Sequence, residues 1–304
     1  MKDNIIQVKL WDKNVGLLSW DDNKGCSVFQ FDKDFMQYGW NIAPLIAPLD
    51  SAYVQKSFPM SGNKEKLYGG LPEFIADSLP DYWGNIVFQK WMEANHLLPK
   101  SVNAVDRLSF IGKRAMGALE FQPAHIQEDA SINIELSSLY ELANRLFLDR
   151  QDVNIDMSNN LIMEDLYKVG TSAGGQRPKA IIGMDEETGI IRSGQADLPP
   201  NFNHYILKFD TSKQNELPIT KVEMAYYLMA KDAGINIMPS KLVEIEGTKN
   251  FMTQRFDRQN GKKIHTQTLA AMSSFADAYE DLFVVGRKLN LSADEQSQQY
   301  RRMV

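Results

Sequence analysis

Hydrophobic residues in the first part of the chain alternate with polar ones in short runs. Between Ile5 and Asp32 the runs IIQVKLW, VGLLSW and SVFQF are separated by clusters of Asp, Asn, Lys and Gly at 12–14 and 21–25. Alternation with a period of two is typical of half-buried strands, and the clusters supply turn residues between them. The pattern therefore predicts a small antiparallel sheet.

Helical spacing replaces this alternation farther along the chain. The segment from Leu71 to Pro99, LPEFIADSLPDYWGNIVFQKWMEANHLLP, spaces its apolar residues as a helix does. We expect Trp83 and Trp91 in the core, because large aromatic side chains are usually buried. The polar stretch 123–160 contains a predicted helix around 139–148, and we interpret it as the junction between two domains.

A glycine-rich loop opens the next pair of predicted strands. The run KVGTSAGGQRPKAIIGM begins with small residues and ends in a β-type segment from Lys179 to Met184. The sequence DEETG then supplies a turn before a second short strand at Ile190–Arg192. This arrangement predicts a hairpin that follows directly on a flexible loop.

A strand with a lysine, a helix and a second hairpin follow. HYILKFD alternates as a strand that points Lys208 to one face. The pair Thr220 and Glu223 has capping-box spacing, which predicts a helix to about Ala233, where Gly234 stops it. Two more strands are predicted at 241–246 and 251–256, joined by a turn at 247–250. This order of elements is that of a protein-kinase N-lobe.

Each element of this order has a task in phosphoryl transfer, which depends on positioning and charge neutralisation. A glycine turn lets backbone N–H groups approach phosphate oxygens. Lys208 could reach the α and β phosphates, and Glu223 could hold that lysine by an ion pair. The glycine pattern itself, Gly170, Gly174 and Gly175, matches neither the Walker A motif nor the protein-kinase glycine loop.

Structural alternatives exist for each of these residues. Gly174 and Gly175 also suit an ordinary surface loop. Lys208 could be a strand residue with its ammonium in solvent, the commoner position of lysine. Glu223 is already explained as the third helical position of its capping box.

Composition narrows the class of protein. A chain of 304 residues with 43% apolar and 24% charged residues is ordinary for a globular chain with one large domain or two. The net charge of −6 argues against binding nucleic acid by bulk electrostatics. Neither a signal peptide nor a membrane-spanning apolar run is found, and the single cysteine, Cys26, is expected to be buried and reduced. We therefore expect a cytoplasmic chain without membrane contact.

Metal binding is not expected from the histidines. They share no metal-ligand spacing with one another or with Cys26, so we predict no zinc site. These histidines are His96, His125, His204 and His265.

At this point the residues carry a family resemblance. The segments SAGGQRPKA, YILKFD, VEMAYYLMAKDAGI, MPSKLVEI and RFDRQNGKKIHTQTLAAM together resemble the kinase region of HipA-type serine/threonine kinases of bacterial toxin–antitoxin systems. Upstream, YGGLPEFIADSLPDYWGNIVFQKWM and RLSFIGKRAMGALEF are similar to that family's N-terminal subdomain. The resemblance implies an α+β fold with a β-rich N-terminal subdomain (1–125), a connecting segment with a helix (126–160), a kinase N-lobe-like region (161–258) and an incomplete helical C-lobe (259–304).

The resemblance also implies roles for individual residues. Ser172 falls where the family has a loop serine that can be autophosphorylated, and Glu223 is the candidate that positions the lysine. Gln254 to Phe256 falls at the hinge that receives adenine, with glutamine where relatives have an acidic residue. The implied ATP-binding residues are Gly174, Gly175, Lys179, Lys208, Gln254 and Phe256.

The family's catalytic aspartate, its asparagine and its magnesium-binding aspartate would follow Val304. The resemblance therefore implies ATP and magnesium as cofactors, but no catalytic residue and no metal ligand within this sequence. Ser292 and Glu295 form another capping box, which predicts a helix at the end of the chain. The amphipathic run from Asp281 to Leu289 predicts a helix whose apolar face needs a partner surface.

Three functional hypotheses follow from the resemblance. The first is a truncated or fragmentary toxin kinase, inactive alone, whose relatives phosphorylate aminoacyl-tRNA synthetase targets. The second is a non-catalytic module that binds a HipB-like DNA-binding antitoxin, a basic partner that would suit the acidic net charge. The third is a split kinase completed by a separate C-lobe chain. The expected partners are thus an antitoxin, a protein substrate or a complementing chain, without direct contact to nucleic acid.

Overall fold

The computed structural model describes most of the chain. The described residues are 5–51, 54, 59–62, 68–98, 102–125, 133–148, 166–167, 169–170, 174–195, 197–212, 216–273 and 280–303. They divide into two compact units, of which the first comprises Met1–Leu79, Val102–Ile126 and Lys263–Val304 and the second comprises Pro80–Ser101 and Gln127–Lys262. Each unit is assembled from separate stretches of the chain, whereas the domain ranges expected from the sequence are consecutive.

The first unit is built on a five-stranded antiparallel sheet with strand order β4-β3-β2-β1-β5. Its first three strands confirm the prediction from alternating hydrophobic residues. The strands are β1 (Ile5–Leu10), β2 (Lys13–Asp21), β3 (Cys26–Phe31), β4 (Met60–Ser61) and β5 (Leu119–Gln122). Cys26 is a buried free thiol, as expected.

Helices cover this sheet and complete its core. Inward-facing residues of the strands, such as Ile6, Leu18 and Phe29, are 0–1% exposed and pack with Phe74 and Leu108 from the helices. Burial of apolar side chains of this kind is the main force that holds the unit together. The helices of this part of the chain are α1 (Lys33–Met36), α2 (Glu73–Ala76) and α4 (Ala104–Ile111).

The second unit contains another five-stranded antiparallel sheet, with strand order β7-β6-β8-β10-β9. Its central strand β8 is the predicted lysine strand. The strands are β6 (Lys179–Met184), β7 (Ile191–Ser193), β8 (Asn203–Lys208), β9 (Ser240–Ile245) and β10 (Thr248–Gln254). Short strands β11 (Arg258–Gln259) and β12 (Lys262–Lys263) follow.

Among the residues that the structure describes, three helices belong to the second unit, and the last two of them in chain order pack on its sheet. On α5 (Leu136–Leu148), Tyr140 donates a hydrogen bond to Thr248 Oγ1 at 3.2 Å and lies edge-on to Phe209. On α3 (Tyr82–Ala94), Trp83 is fully buried, as predicted. The third helix, α6 (Ile219–Asp232), follows β8 in the chain and lies against β9 and β10.

Local details of the second unit differ from two predictions. The turn between β9 and β10 is formed by Glu246 and Gly247, both with positive φ, so β10 starts at Thr248 and not at 251. Two successive residues with positive φ give the tight hairpin turn that matches the twist of the flanking strands. The Thr220–Glu223 capping box is wrong: α6 begins after Pro218 without a side-chain cap, and the buried Thr220 hydroxyl bonds Asp210 and the Lys249 carbonyl.

The last segment of the chain packs in the first unit. Thr268 N donates to Asp77 Oδ2 at 2.6 Å, and Tyr68 donates to the carbonyl of Ala270 at 3.1 Å. The final helices are α7 (Leu269–Ser273), α8 (Glu280–Lys288) and α9 (Ala293–Met303). The capping box before α9 is confirmed, because Ser292 N donates to Glu295 Oε2 and Glu295 N donates to Ser292 Oγ.

In the part of the chain that the structure describes, every helix is too short or too polar to cross a membrane.

Candidate functional site

Two lysines face each other at one end of the second sheet. Lys179 on β6 lies directly opposite Lys208 on β8. Directly opposed residues of an antiparallel pair point to the same face, with Cβ atoms roughly 5 Å apart. Lys208 Nζ donates to Glu223 Oε2 of α6 at 2.6 Å and lies 5.7 Å from the centre of the Phe251 ring. The two strands therefore bring two ammonium groups together, and the carboxylate of Glu223 on α6 orients the ammonium group of Lys208.

Lys179 carries a weakened charge. Its side chain is 3% exposed, and this burial lowers the lysine pKa to about 8. The nearby positive charge of Lys208 contributes to this lower pKa, while the carboxylates of Asp81 and Glu223 oppose the shift. Nζ donates to the carbonyl of Arg177 at 2.7 Å. An anion placed between the two lysines would therefore strengthen the charge of Lys179 and be held by it.

The glycine loop lies immediately before Lys179 and approaches other atoms closely. Gly175 adopts φ +111°, and a Cβ there would lie 3.2 Å from Lys179 Nζ. A Cβ on Gly174 would lie 2.9 Å from Asp81 Oδ2. The positive φ of Gly175 favours glycine, and the atoms that either Cβ would meet lie at the ends of the movable side chains of Lys179 and Asp81. Ser172, the implied autophosphorylation residue, lies outside the described residues.

A cavity of about 700 Å³ lies along the same sheet, toward the start of β8. Gln254 and Phe256, the residues implied at the hinge, both line it, together with Phe202, His204 and Met238. His204 and Lys208 are four residues apart on one strand, so they point to the same side and stand about 13 Å apart along it. The cavity and the lysine pair are therefore the two ends of one surface.

His204 lines the cavity. From the sequence it was considered only as a metal ligand, and that role was not expected. Burial, together with the smaller effect of the charges of Arg255 and Arg258, lowers the pKa of its imidazole to about 4. Its Nδ1 lies 2.9 Å from the carbonyl of Gly194. A neutral ring that donates from Nδ1 keeps Nε2 as a hydrogen-bond acceptor. The only signal in the sequence was its even spacing from Lys208.

A buried ion network fixes the segment that follows β10. Asp257 is fully buried and accepts from Arg255 Nε at 2.8 Å and from a second Arg255 nitrogen at 2.6 Å. Arg258 donates to the same carboxylate at 2.8 Å. Phe256, between these anchored residues, is 55% exposed beside the cavity. The network therefore holds an aromatic ring at the cavity edge while its neighbours stay fixed.

Chemically, this surface offers two lysine ammonium groups at one end and an aromatic cavity with amide and imidazole groups at the other. Planar rings stack on aromatic side chains, and phosphates bind ammonium groups. The donor set fits a nucleotide. Among the described residues, no group of three or more His, Cys, Asp or Glu side chains could hold a metal ion, so no magnesium ligand is assigned.

Comparison with known proteins gives the same picture in outline. Family models of the HipA N-terminal domain and the HipA-like C-terminal domain match residues 6–122 and 171–304. A search of curated proteins finds no match.

One similar solved structure is the complex of the toxin–antitoxin system HipA, HipB and its operator DNA from Shewanella oneidensis MR-1. The match has a TM-score of 0.50 at 19% sequence identity and covers 86% of this chain and 53% of that chain. The chain thus spans about half the length of this relative, and at this identity the likeness concerns the fold. Since both domain models match in order over most of its length, the chain belongs to the HipA family.

Proposed function

We propose that this chain binds ATP on the surface between the lysine pair and the hinge cavity, as the nucleotide-binding part of a HipA-like toxin kinase that phosphorylates serine or threonine on a protein. The observation that carries the proposal is the opposed pair Lys179 and Lys208, with Glu223 bonded to the second lysine at 2.6 Å. Phosphoryl transfer needs this kind of oriented positive charge at the phosphates.

Different residues of the site would bind different parts of the nucleotide. Lys208, held by Glu223, meets the phosphates as a fixed point charge. Lys179 gains charge as the phosphates approach, because an anion raises its lowered pKa. At the other end Phe256 offers a ring on which a base stacks, and His204 offers an acceptor for an exocyclic amine. Magnesium would shield the phosphate charge when bound, but the residues here assign it no step.

A HipB-like antitoxin is the proposed macromolecular partner. The support is that the matched chain belongs to an assembly of HipA, HipB and operator DNA. The net charge of −6 suits a partner with a basic surface. The second candidate function is binding to such a partner without catalysis.

Calorimetric titration of the full chain with ATP and magnesium tests the first proposal. We expect saturable binding that Lys208→Met weakens by about tenfold, the effect of losing one charge-assisted contact. The matched control is Lys241→Met, because Lys241 is a lysine of the same sheet that pairs with Glu186 at 2.9 Å on the exposed side. Equal losses in both variants would point to bulk charge and contradict the proposed site.

Intact-mass measurement separates the kinase from the binding module. After incubation with ATP and magnesium, a phosphate adduct that Ser172→Ala removes would support catalysis with Ser172 as acceptor. ATP binding without an adduct, together with capture of a helix-turn-helix antitoxin, would support the non-catalytic candidate. Absence of ATP binding in the wild-type chain would overturn the nucleotide proposal itself.

A further inference from the structure

Asp81 occupies the cap position of α3 but does not cap that helix. Its backbone is extended, with φ −74° and ψ −164°, and no side-chain hydrogen bond to the helix is formed. Aspartate is favoured at this position because its carboxylate normally accepts N–H groups of the first helical turn. Here the carboxylate reaches the glycine loop and accepts the Gly175 N–H at 2.6 Å.

The first turn of α3 holds the loop at further points. Trp83 N donates to the carbonyl of Gly175 at 3.3 Å, so Gly175 is bonded through both its N–H and its C=O. The indole Nε1 of Trp83, which is fully buried, donates to the carbonyl of Lys179 at 3.0 Å. The loop therefore rests against this helix at both ends of the segment from Gly175 to Lys179.

The Asp81 carboxylate resembles a phosphate in these contacts. It carries negative charge, accepts a loop N–H, and its field helps to keep Lys179 protonated. A backbone N–H that donates strongly to one carboxylate is not free for a second anion. A nucleotide phosphate at the loop would also be repelled by the carboxylate. Asp81 and a phosphate thus compete for the same donor and the same lysine.

We propose that Asp81 occupies the position of a phosphate at the Gly175 N–H, and that nucleotide phosphates displace its carboxylate to cap its own helix. This inference rests on the proposed binding of ATP and adds its regulation. Both positions of the carboxylate are favourable, because one satisfies the loop and the other satisfies the first turn of α3. The exchange between them makes access of a phosphate to the Gly175 N–H depend on displacement of the carboxylate.

Titrations with ATP, inorganic tripolyphosphate and adenosine test the competition. Asp81→Ala is expected to raise the affinity for ATP and tripolyphosphate on the order of tenfold, because the competing acceptor and its charge are removed. Adenosine affinity stays unchanged, since adenosine carries no phosphate. Asp81→Asn, which keeps an acceptor without the charge, gives an intermediate gain. Glu93→Gln removes one negative charge from the far end of the same helix and is the matched control.

Hydrogen exchange tests the contact itself without nucleotide. The Gly175 amide exchanges faster in Asp81→Ala than in the wild-type chain, and ATP slows exchange of the first-turn amides of α3 only when Asp81 is present. An unchanged Gly175 rate, or an unchanged or lowered ATP affinity in Asp81→Ala, overturns the inference. If neither the wild-type chain nor any variant binds ATP, the proposed function and the competition are both overturned. The exchange rate of the Gly175 amide still shows in that case whether Asp81 bonds it.

Discussion

Replacing Asp257 by asparagine should strongly destabilise the second unit. The carboxylate is fully buried and bonds two guanidinium groups through contacts of 2.6 to 2.8 Å from Arg255 and Arg258. Asparagine keeps the size but removes the charge and turns an NH₂ group toward cationic donors. Removing one partner of a buried ion pair typically costs about 3 to 5 kcal/mol, because the remaining charge stays buried. Such a loss is a large fraction of the stability of an ordinary domain.

Urea unfolding, monitored by hydrogen exchange of the β8 amides, measures this loss of free energy of unfolding in the second unit. The control is Glu93→Gln, which breaks the solvent-exposed pair with Lys90 and should change the free energy of unfolding by less than about 1 kcal/mol. A loss for Asp257→Asn no larger than that of the control would refute the reasoning, since it would mean that the guanidinium groups find other compensation. Because the network holds the residues on both sides of Phe256, Asp257→Asn should weaken ATP binding as well.

Three further outcomes are expected. Burial lowers the pKa of Lys179 from 10.5 to about 8. Between pH 8 and pH 10.5 the unfolded chain therefore holds a proton that the folded chain has released, and the free energy of unfolding rises with pH through this window. Lys179→Met should abolish that rise in urea titrations, and an equal rise in both chains would contradict it. Ser292→Ala removes the Oγ that accepts from Glu295 N and donates to Glu295 Oε2, and this loss of about 1 kcal/mol should speed hydrogen exchange in the first turn of α9. Ser297→Ala should leave that exchange unchanged. Phe29→Ala, whose ring packs edge-on against Phe31 and Phe74, should cost the first unit about 3 to 5 kcal/mol in urea unfolding, against a much smaller loss for the exposed Leu17→Ala.

Local pattern was sufficient where an element is decided by its own residues. Alternation located β1, β2, β3 and the strand that carries Lys208. The capping box at Ser292 was predicted correctly because α9 is exposed and the side chains of Ser292 and Glu295 bond each other. The similar motif at Thr220 failed because that hydroxyl is buried between Asp210 and the Lys249 carbonyl. Tertiary contacts overrode the same local signal.

The site was predictable only in part. The pairing of Lys208 with Glu223 could be inferred from the order of strand and helix, and the structure brings the two side chains together. The opposition of Lys179 required the register of β6 on β8, which spacing does not specify. Asp81 was missed because it lies 94 positions before Gly175, beyond the reach of any local motif.

The way the two units interrupt each other has a consequence for the order of folding during synthesis. The first unit needs contacts such as Trp11 Nε1 to the Lys263 carbonyl, which join residues 252 positions apart. Its final arrangement must therefore wait until the ribosome has passed Lys263. The sheet of the second unit is complete by Gln254 and can form earlier. Folding of the first unit should thus be completed after the sheet of the second unit has formed, when residues from Lys263 onward reach strands that were synthesised much earlier.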